Sequence, residues 1–171
     1  MNVIQVALDR LYLDPNNYRL RGNPNYKTVE DKNICNSMVQ KRVMKMMKGE
    51  NSSDIKDLLE SFKENGYLKI DNIIVRPLDD SKEQYLVVEG NRRITTLKVL
   101  KELYEDGMEI GKVNPECFDN LDVVEYDADD KEYEILMGLR HVSGVRQWGD
   151  YEQSELIANL VRRHHMELRD I

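Results

Sequence analysis

The chain has 171 residues, 33% of them charged and 40% hydrophobic, which suits a globular domain with a real core. Its net charge of −7 argues against a generic nucleic-acid binder, although basic residues do cluster at 41–48, 92–93, 140–146 and 162–163. No apolar run approaches a membrane span, the start Met1-Asn2-Val3-Ile4-Gln5 lacks the form of a signal peptide, and Cys35 and Cys117 are too few and too far apart for a disulfide framework or a zinc site. The expectation is a cytoplasmic protein with two buried thiols, no metal-ligand cluster and no membrane partner.

Val3, Ile4, Val6 and Leu8, then Leu11 and Leu13, predict one or two short strands. Asp14-Pro15-Asn16-Asn17-Tyr18-Arg19 follows as a turn-rich loop, and Arg19 and Arg21 sit where a loop arginine can reach a neighbouring site. After a linker at Gly22–Asn25, Thr28 reads as an N-cap with Glu30 and Asp31 in the first turn. Cys35, Met38, Val39, Val43, Met46 and Met47 mark the apolar face of that helix to Lys48, and Gly49 ends it. Ser53 reads as the cap of the next helix, with Ile55, Leu58, Leu59 and Phe62 inward and Asn65-Gly66 as a left-handed stop. Asn72-Ile73-Ile74-Val75-Arg76 is a strand that Pro77 terminates, and Asp79–Glu83 is a charged loop.

Leu86, Val87 and Val88 then predict a strand covered on both faces. Gly90 permits a turn, and Ile94, Leu97 and Leu100 recur at helical spacing from Asn91 to about Glu105. The first turn of this helix carries Arg92 and Arg93, two cations where the peptide dipoles already place about half a positive charge. An anion would reverse that cost: free N–H groups, a glycine and two guanidiniums make a phosphate cradle. The competing reading is that both arginines pair with acidic neighbours.

Residues 107–120 read as irregular, and Leu121–Tyr126 as another strand. Asp129 or Asp130 caps a helix with Tyr133, Leu136 and Met137 inward. The glycine-punctuated loop Arg140–Gly149 holds His141, Arg146 and Trp148, of which Arg146 is the better phosphate ligand. Asp150 and Gln153 form a capping box for a last helix that buries Leu156, Ile157, Leu160 and Val161.

Three of these blocks together resemble the ParB/sulfiredoxin superfamily, in its ParB N-terminal-domain branch. They are Leu11–Arg19, then Asp57–Leu68 with Ile73–Pro77, and the Val88-Glu89-Gly90-Asn91-Arg92-Arg93 turn, which is similar to the family's Gly-Glu-Arg-Arg signature. His141–Ser154 is a looser fourth block. The resemblance implies an α+β fold: a small mixed sheet with surrounding helices and a C-terminal helical part. The expected division is residues 1–126 as the core, with 27–50 a helical insertion, and 127–171 as a helical segment that continues in a longer protein.

It also implies a nucleoside triphosphate, CTP or ATP, with Mg2+. Gly90, Asn91, Arg92 and Arg93 would hold phosphates, Thr95 and Thr96 would add hydroxyls, and Arg19 and Arg146 would close from flanking loops. Glu89 is the candidate catalytic carboxylate, or else orients an arginine or meets the metal through water. Asn91 stands where ParB has glutamate and sulfiredoxin its catalytic cysteine, so sulfiredoxin chemistry is excluded. The expected function is a nucleotide-dependent switch or NTPase in a DNA-associated system, with DNA reached through other regions or a partner, and homodimerisation as a further expectation. The alternatives are a phosphotransferase or nuclease on the same scaffold, and a protein-interaction module without nucleotide.

Overall fold

A computed structural model describes residues 2–79, 81–126, 135, 154–155, 157–159 and 161–162. The chain falls into two compact units, one of residues 1–15 with 28–126 and one of 16–27 with 127–171.

The first unit is an α+β fold on a five-stranded mixed sheet. Strands β1 (Asn2–Val6), β2 (Leu11–Leu13), β3 (Ile74–Pro77), β4 (Tyr85–Glu89) and β5 (Leu121–Glu125) lie in the order β1-β5-β3-β4-β2. β1 runs antiparallel to β5, β5 parallel to β3, β3 antiparallel to β4, and β4 parallel to β2. The apolar run Tyr85–Val88 is buried along its whole length, as a strand covered on both faces requires. Helix α3 (Asn91–Glu105) follows it directly and buries Ile94, Leu97 and Leu100 completely. Its bounds are those expected from the glycine turn and the 3.6-residue period.

Two helix starts differ from expectation. Helix α1 spans Ser37–Lys48, and its cap is Asn36, whose side-chain oxygen accepts from the N–H groups of Met38 (2.9 Å) and Val39 (3.4 Å). Thr28 caps nothing: residues 28–30 lie outside regular structure and Asp31–Asn33 make a separate 3-10 turn. A side chain that satisfies two orphan amides sets the start more firmly than the acidic first turn did. The buried face is therefore Val43, Met46 and Met47, while Met38 is exposed. Helix α2 spans Lys56–Asn65 and starts after a 3-10 stretch, Glu50–Ile55, kinked at Asn51 and Ser52. Ser53 is no cap, because its hydroxyl is bonded to Asp54 Oδ1 at 3.1 Å. Gly66 ends α2 as expected at a positive φ of 78°, which favours glycine, and its N–H donates to the Phe62 carbonyl, while its ψ of 174° departs from the αL value.

α1 also finishes one margin of the sheet. Gln40 Oε1 accepts from the Leu13 N–H, and its Nε2 donates to the Leu13 and Ile34 carbonyls, all at 2.9 Å. Cys35 and Cys117 are half-buried rather than buried. No helix among the described residues is long and apolar enough to cross a membrane.

In the second unit Tyr18 and Leu20 are buried on a 3-10 turn capped by Asn17. The Tyr18 hydroxyl accepts from Asn159 Nδ2 at 2.7 Å, the Arg21 guanidinium lies 3.8 Å from the Tyr18 ring centroid, and Arg21 pairs with Glu155 at 2.9 Å. Ile157 and Val161 are helical and half-buried. The expectations for residues 127–134 and 136–153, including His141, Arg146 and Trp148, for Leu156 and Leu160, and for 163–171 lie outside the described residues.

Candidate functional site

The β4–α3 turn is built on Gly90, at φ 99° and ψ 15°. This is the left-handed region, which glycine enters without steric cost. A Cβ here would also stand 3.0 Å from Ile73 Cγ1 and 3.4 Å from Arg93 Nη2, so the glycine admits both the turn and its packing. The first helical bond runs from the Ile94 N–H to the Gly90 carbonyl at 2.9 Å. The N–H groups of Asn91, Arg92 and Arg93 therefore precede the intrahelical ladder, and no side chain of the N-cap residue serves them.

The side chains at this turn are turned to the backbone. Asn91 is buried, and it ties the first loop to β4: its Oδ1 accepts from the Asp14 N–H at 2.9 Å and its Nδ2 donates to the Val87 carbonyl at 2.8 Å. It offers a ligand only its backbone N–H. Arg92 donates through Nε and Nη2 to the Asp54 carbonyl (2.8 and 2.6 Å) and through Nη2 to Asp57 Oδ1 (2.7 Å). Arg93 donates through Nη1 to the Asp71 carbonyl and through Nη2 to the Asn72 carbonyl at 3.3 Å, with Glu89 Oε1 3.6 Å away. Both guanidinium side chains are largely buried, 14% and 17% exposed, so these geometries are held by packing rather than by surface ion pairing.

Two charges of each sign meet here, Arg92 and Arg93 against Asp57 and Glu89. Asp57 is the exposed member, at 54%, and Glu89 the enclosed one, at 14%. An incoming anion can therefore displace Asp57 into solvent at low cost, whereas Glu89 has no such exit. Burial raises the Tyr67 hydroxyl above its ordinary pKa, against the opposing positive charge of Arg93.

Thr95 and Thr96 are fully buried. Thr96 Oγ1 donates back to the Arg92 carbonyl at 2.9 Å, and Thr95 Oγ1 has no hydrogen-bond partner among the described residues. The phosphate role expected of these hydroxyls thus has no accessible atom. The reason is position: α3 packs on β4 and β2 and against α1 and α2, so the side chains of residues 94–97 are all enclosed. Arg19 is exposed on the 3-10 turn of the second unit, and Arg146 lies outside the described residues.

Sequence reasoning missed the partners Asp54, Asp57, Asp71 and Asn72, which come from segments far away in the chain. Among the described residues no group of three or more His, Cys, Asp or Glu side chains is placed to hold a metal ion. Cys117 is held by burial at a pKa of about 11, so it is a neutral thiol rather than a nucleophilic thiolate near neutral pH.

No family model matches the chain, and no curated protein sequence matches it. Among solved structures it is similar to the C-terminally truncated chromosome-partitioning protein ParB from Caulobacter crescentus complexed with CTP-γ-S. The identity is 15%, the match covers 99% of this chain and 68% of that one, and the TM-score is 0.43.

Proposed function

We propose that this chain is a ParB-like nucleotide-binding domain that takes the phosphates of a nucleoside triphosphate at the Glu89–Arg93 turn and acts as a nucleotide-dependent switch in a DNA-associated system. The observation that carries the reading is the start of α3. Its N-cap is a left-handed glycine, which has no side chain of its own to offer the first helical N–H groups, and two enclosed guanidiniums flank that start. CTP and ATP are the nucleotides that the motif resemblance implies.

The chemistry is an exchange of anions. The Asp54 carbonyl holds the Arg92 guanidinium in its plane through Nε and Nη2. A phosphate oxygen arriving at Nη2 replaces Asp57 and adds a charge-assisted bond in the same geometry. Glu89 stays with Arg93 and orients it. Asp54 and Asp57 belong to the 3-10 stretch and to α2, and between them and α1 Asn51 (φ 51°) and Ser52 (φ 61°) are left-handed non-glycine residues. Such residues cost about 1–3 kcal/mol each and persist only where their surroundings hold them. Releasing Asp57 removes one of those holds, which couples phosphate binding to a shift of residues 50–57. Among the described residues no group of three or more His, Cys, Asp or Glu side chains stands at this turn to hold Mg2+, and the Glu89 carboxylate faces Arg93. Arg19, Arg146, Thr95 and Thr96 receive no role in this reading.

A second reading is favoured by the same bonds: the arginines are structural ties of an interaction module that binds no nucleotide. Calorimetric titration of CTP, ATP, GTP and UTP into the wild type and Arg92→Ala separates the two. The first reading expects selective binding that Arg92→Ala reduces about a hundredfold or more, the loss of charge-assisted bonds worth roughly 3 kcal/mol. The second expects no heat of binding for any nucleotide, with Arg92→Ala lowering only the stability.

A further inference from the structure

We infer that the cavity between the end of α2 and the segment before β5 is a binding site for a small organic carboxylate with an apolar body. The cavity holds about 350 Å³, within the range of small-molecule pockets, about 300–1,000 Å³. It shares no lining residue with the Glu89–Arg93 turn, so it stands apart from the nucleotide reading.

The walls are fixed by backbone contacts. The Lys112 N–H donates to the Lys63 carbonyl, in the last turn of α2, at 2.8 Å. Residue 111 must be glycine for that approach, because a Cβ there would stand 2.2 Å from the same carbonyl oxygen. Beyond it, Asn114 caps the 3-10 turn Pro115–Phe118 by accepting from the Glu116 N–H at 3.1 Å. Walls tied in this way hold their shape without a ligand, so binding costs little ordering of the protein.

Part of the lining is apolar. Leu121 is fully buried, and the Tyr67 ring packs edge-on to Phe62 with centroids 5.3 Å apart. Cys117 adds a thiol that burial keeps neutral. These groups suit a hydrocarbon or a ring and offer nothing to a charge.

The polar part has a surplus of donors. The Lys112 ammonium, the Tyr67 hydroxyl and the Asn120 side-chain amide line the cavity, and none of the three has a bonded partner among the described residues. The acceptors beside them are taken: Glu116 Oε2 accepts from Asn114 Nδ2 at 3.1 Å, and Asn114 Oδ1 from the Glu116 N–H. Glu116 is exposed, so its charge is solvated, and Lys69 is already matched by Asp122. An ammonium, a phenol and an amide thus remain beside an apolar lining. A carboxylate accepts from all three, and its body covers Leu121 and the Tyr67 ring. A cation or a bare hydrocarbon would leave the donors unused, and an inorganic anion would leave the apolar lining uncovered.

The test is an NMR titration of the full chain with sodium benzoate, with benzamide, which has the ring without the charge, and with inorganic phosphate, which has the charge without the ring. Benzoate shifts the backbone amides of Gly66, Lys112 and Leu121 and the side-chain amide of Asn120 saturably. Benzamide binds about tenfold more weakly, and phosphate does not saturate these signals. Lys112→Met keeps the aliphatic stem, removes the charge and weakens benzoate binding about tenfold while benzamide binds as before. Asn120→Asp sets a carboxylate against the ligand's own and removes benzoate binding, an independent check should the first variant fold poorly. Shifts that never saturate, saturable shifts at residues 89–93 instead, equal affinity for benzoate and benzamide, or unchanged benzoate affinity in both variants would overturn the proposal.

Discussion

The two margins of the sheet are finished in different ways. At β2 a glutamine from α1 completes the backbone hydrogen bonding of Leu13; at β1 the outward groups of Val3 and Gln5 meet no strand among the described residues. The start of α3 follows the β2 pattern. Asn91 bridges the Asp14 N–H and the Val87 carbonyl, Arg92 holds the Asp54 carbonyl, and Arg93 holds those of Asp71 and Asn72. Long polar side chains here serve as substitutes for missing backbone partners. A polar residue in a motif can therefore be a structural tie and still stand at a binding site, and only an exchange of partners tells the two roles apart.

The largest effect that sharpens this contrast belongs to Asn91→Leu. The substitution leaves two buried backbone groups, the Asp14 N–H and the Val87 carbonyl, without their partner, at about 1–3 kcal/mol each. Urea unfolding should register a loss of roughly 2–5 kcal/mol with an unchanged slope. A loss below about 1 kcal/mol would mean that the tie is not carrying the loop. Gln40→Ala comes next. It strips the finish from β2 and costs about 1–3 kcal/mol, and it should make the Leu13 amide exchange more rapidly while the β1 amides keep their rates. Equal acceleration at both margins would break the distinction between them.

The smallest effect is acid-dependent and local to the β1 side. Asp122 is held below its ordinary pKa first by the Lys69 hydrogen bond and then by the Gln5 amide, which donates to it at 3.1 Å. A depressed carboxylate contributes stability that is fully present above its unfolded value and is lost as pH falls through the folded one. Asp122→Asn should accordingly lower stability slightly at neutral pH, with the difference from the wild type fading as pH falls below about 4, which flattens the acid limb of the stability curve. A change in acid as large as that at neutral pH would contradict it.

Much of the first unit was legible because its signals were local. The apolar run 86–88, one glycine and a period of 3.6 set β4 and α3 correctly, and Leu121–Glu125 was readable for the same reason. The starts of α1 and α2 were not. Thr28 and Ser53 are both good caps in isolation, and the contest was decided by Asn36 and by a left-handed kink at Asn51 and Ser52. At the turn, sequence identified the arginines and the glycine and also named ion pairing as the competing use. It gave no sign that Asp54, Asp57, Asp71 and Asn72 would be the partners, since that pairing exists only after α2 and the segment before β3 have packed beside α3. The burial of Thr95 and Thr96 was hidden for a related reason: two hydroxyls look like ligands until α3 has packed on β4 and β2 and against α1 and α2.

The exchange of Asp57 for phosphate at Arg92 is tested most directly by titrating CTP and ATP into Asp57→Asn beside the wild type in one calorimetric series. The amide keeps the shape of the side chain and removes the competing charge. If the turn is a phosphate site, Asp57→Asn should bind the preferred nucleotide about tenfold more tightly than the wild type, roughly 1.4 kcal/mol. Nucleotide binding with the same affinity in both proteins, or in neither, would contradict the account.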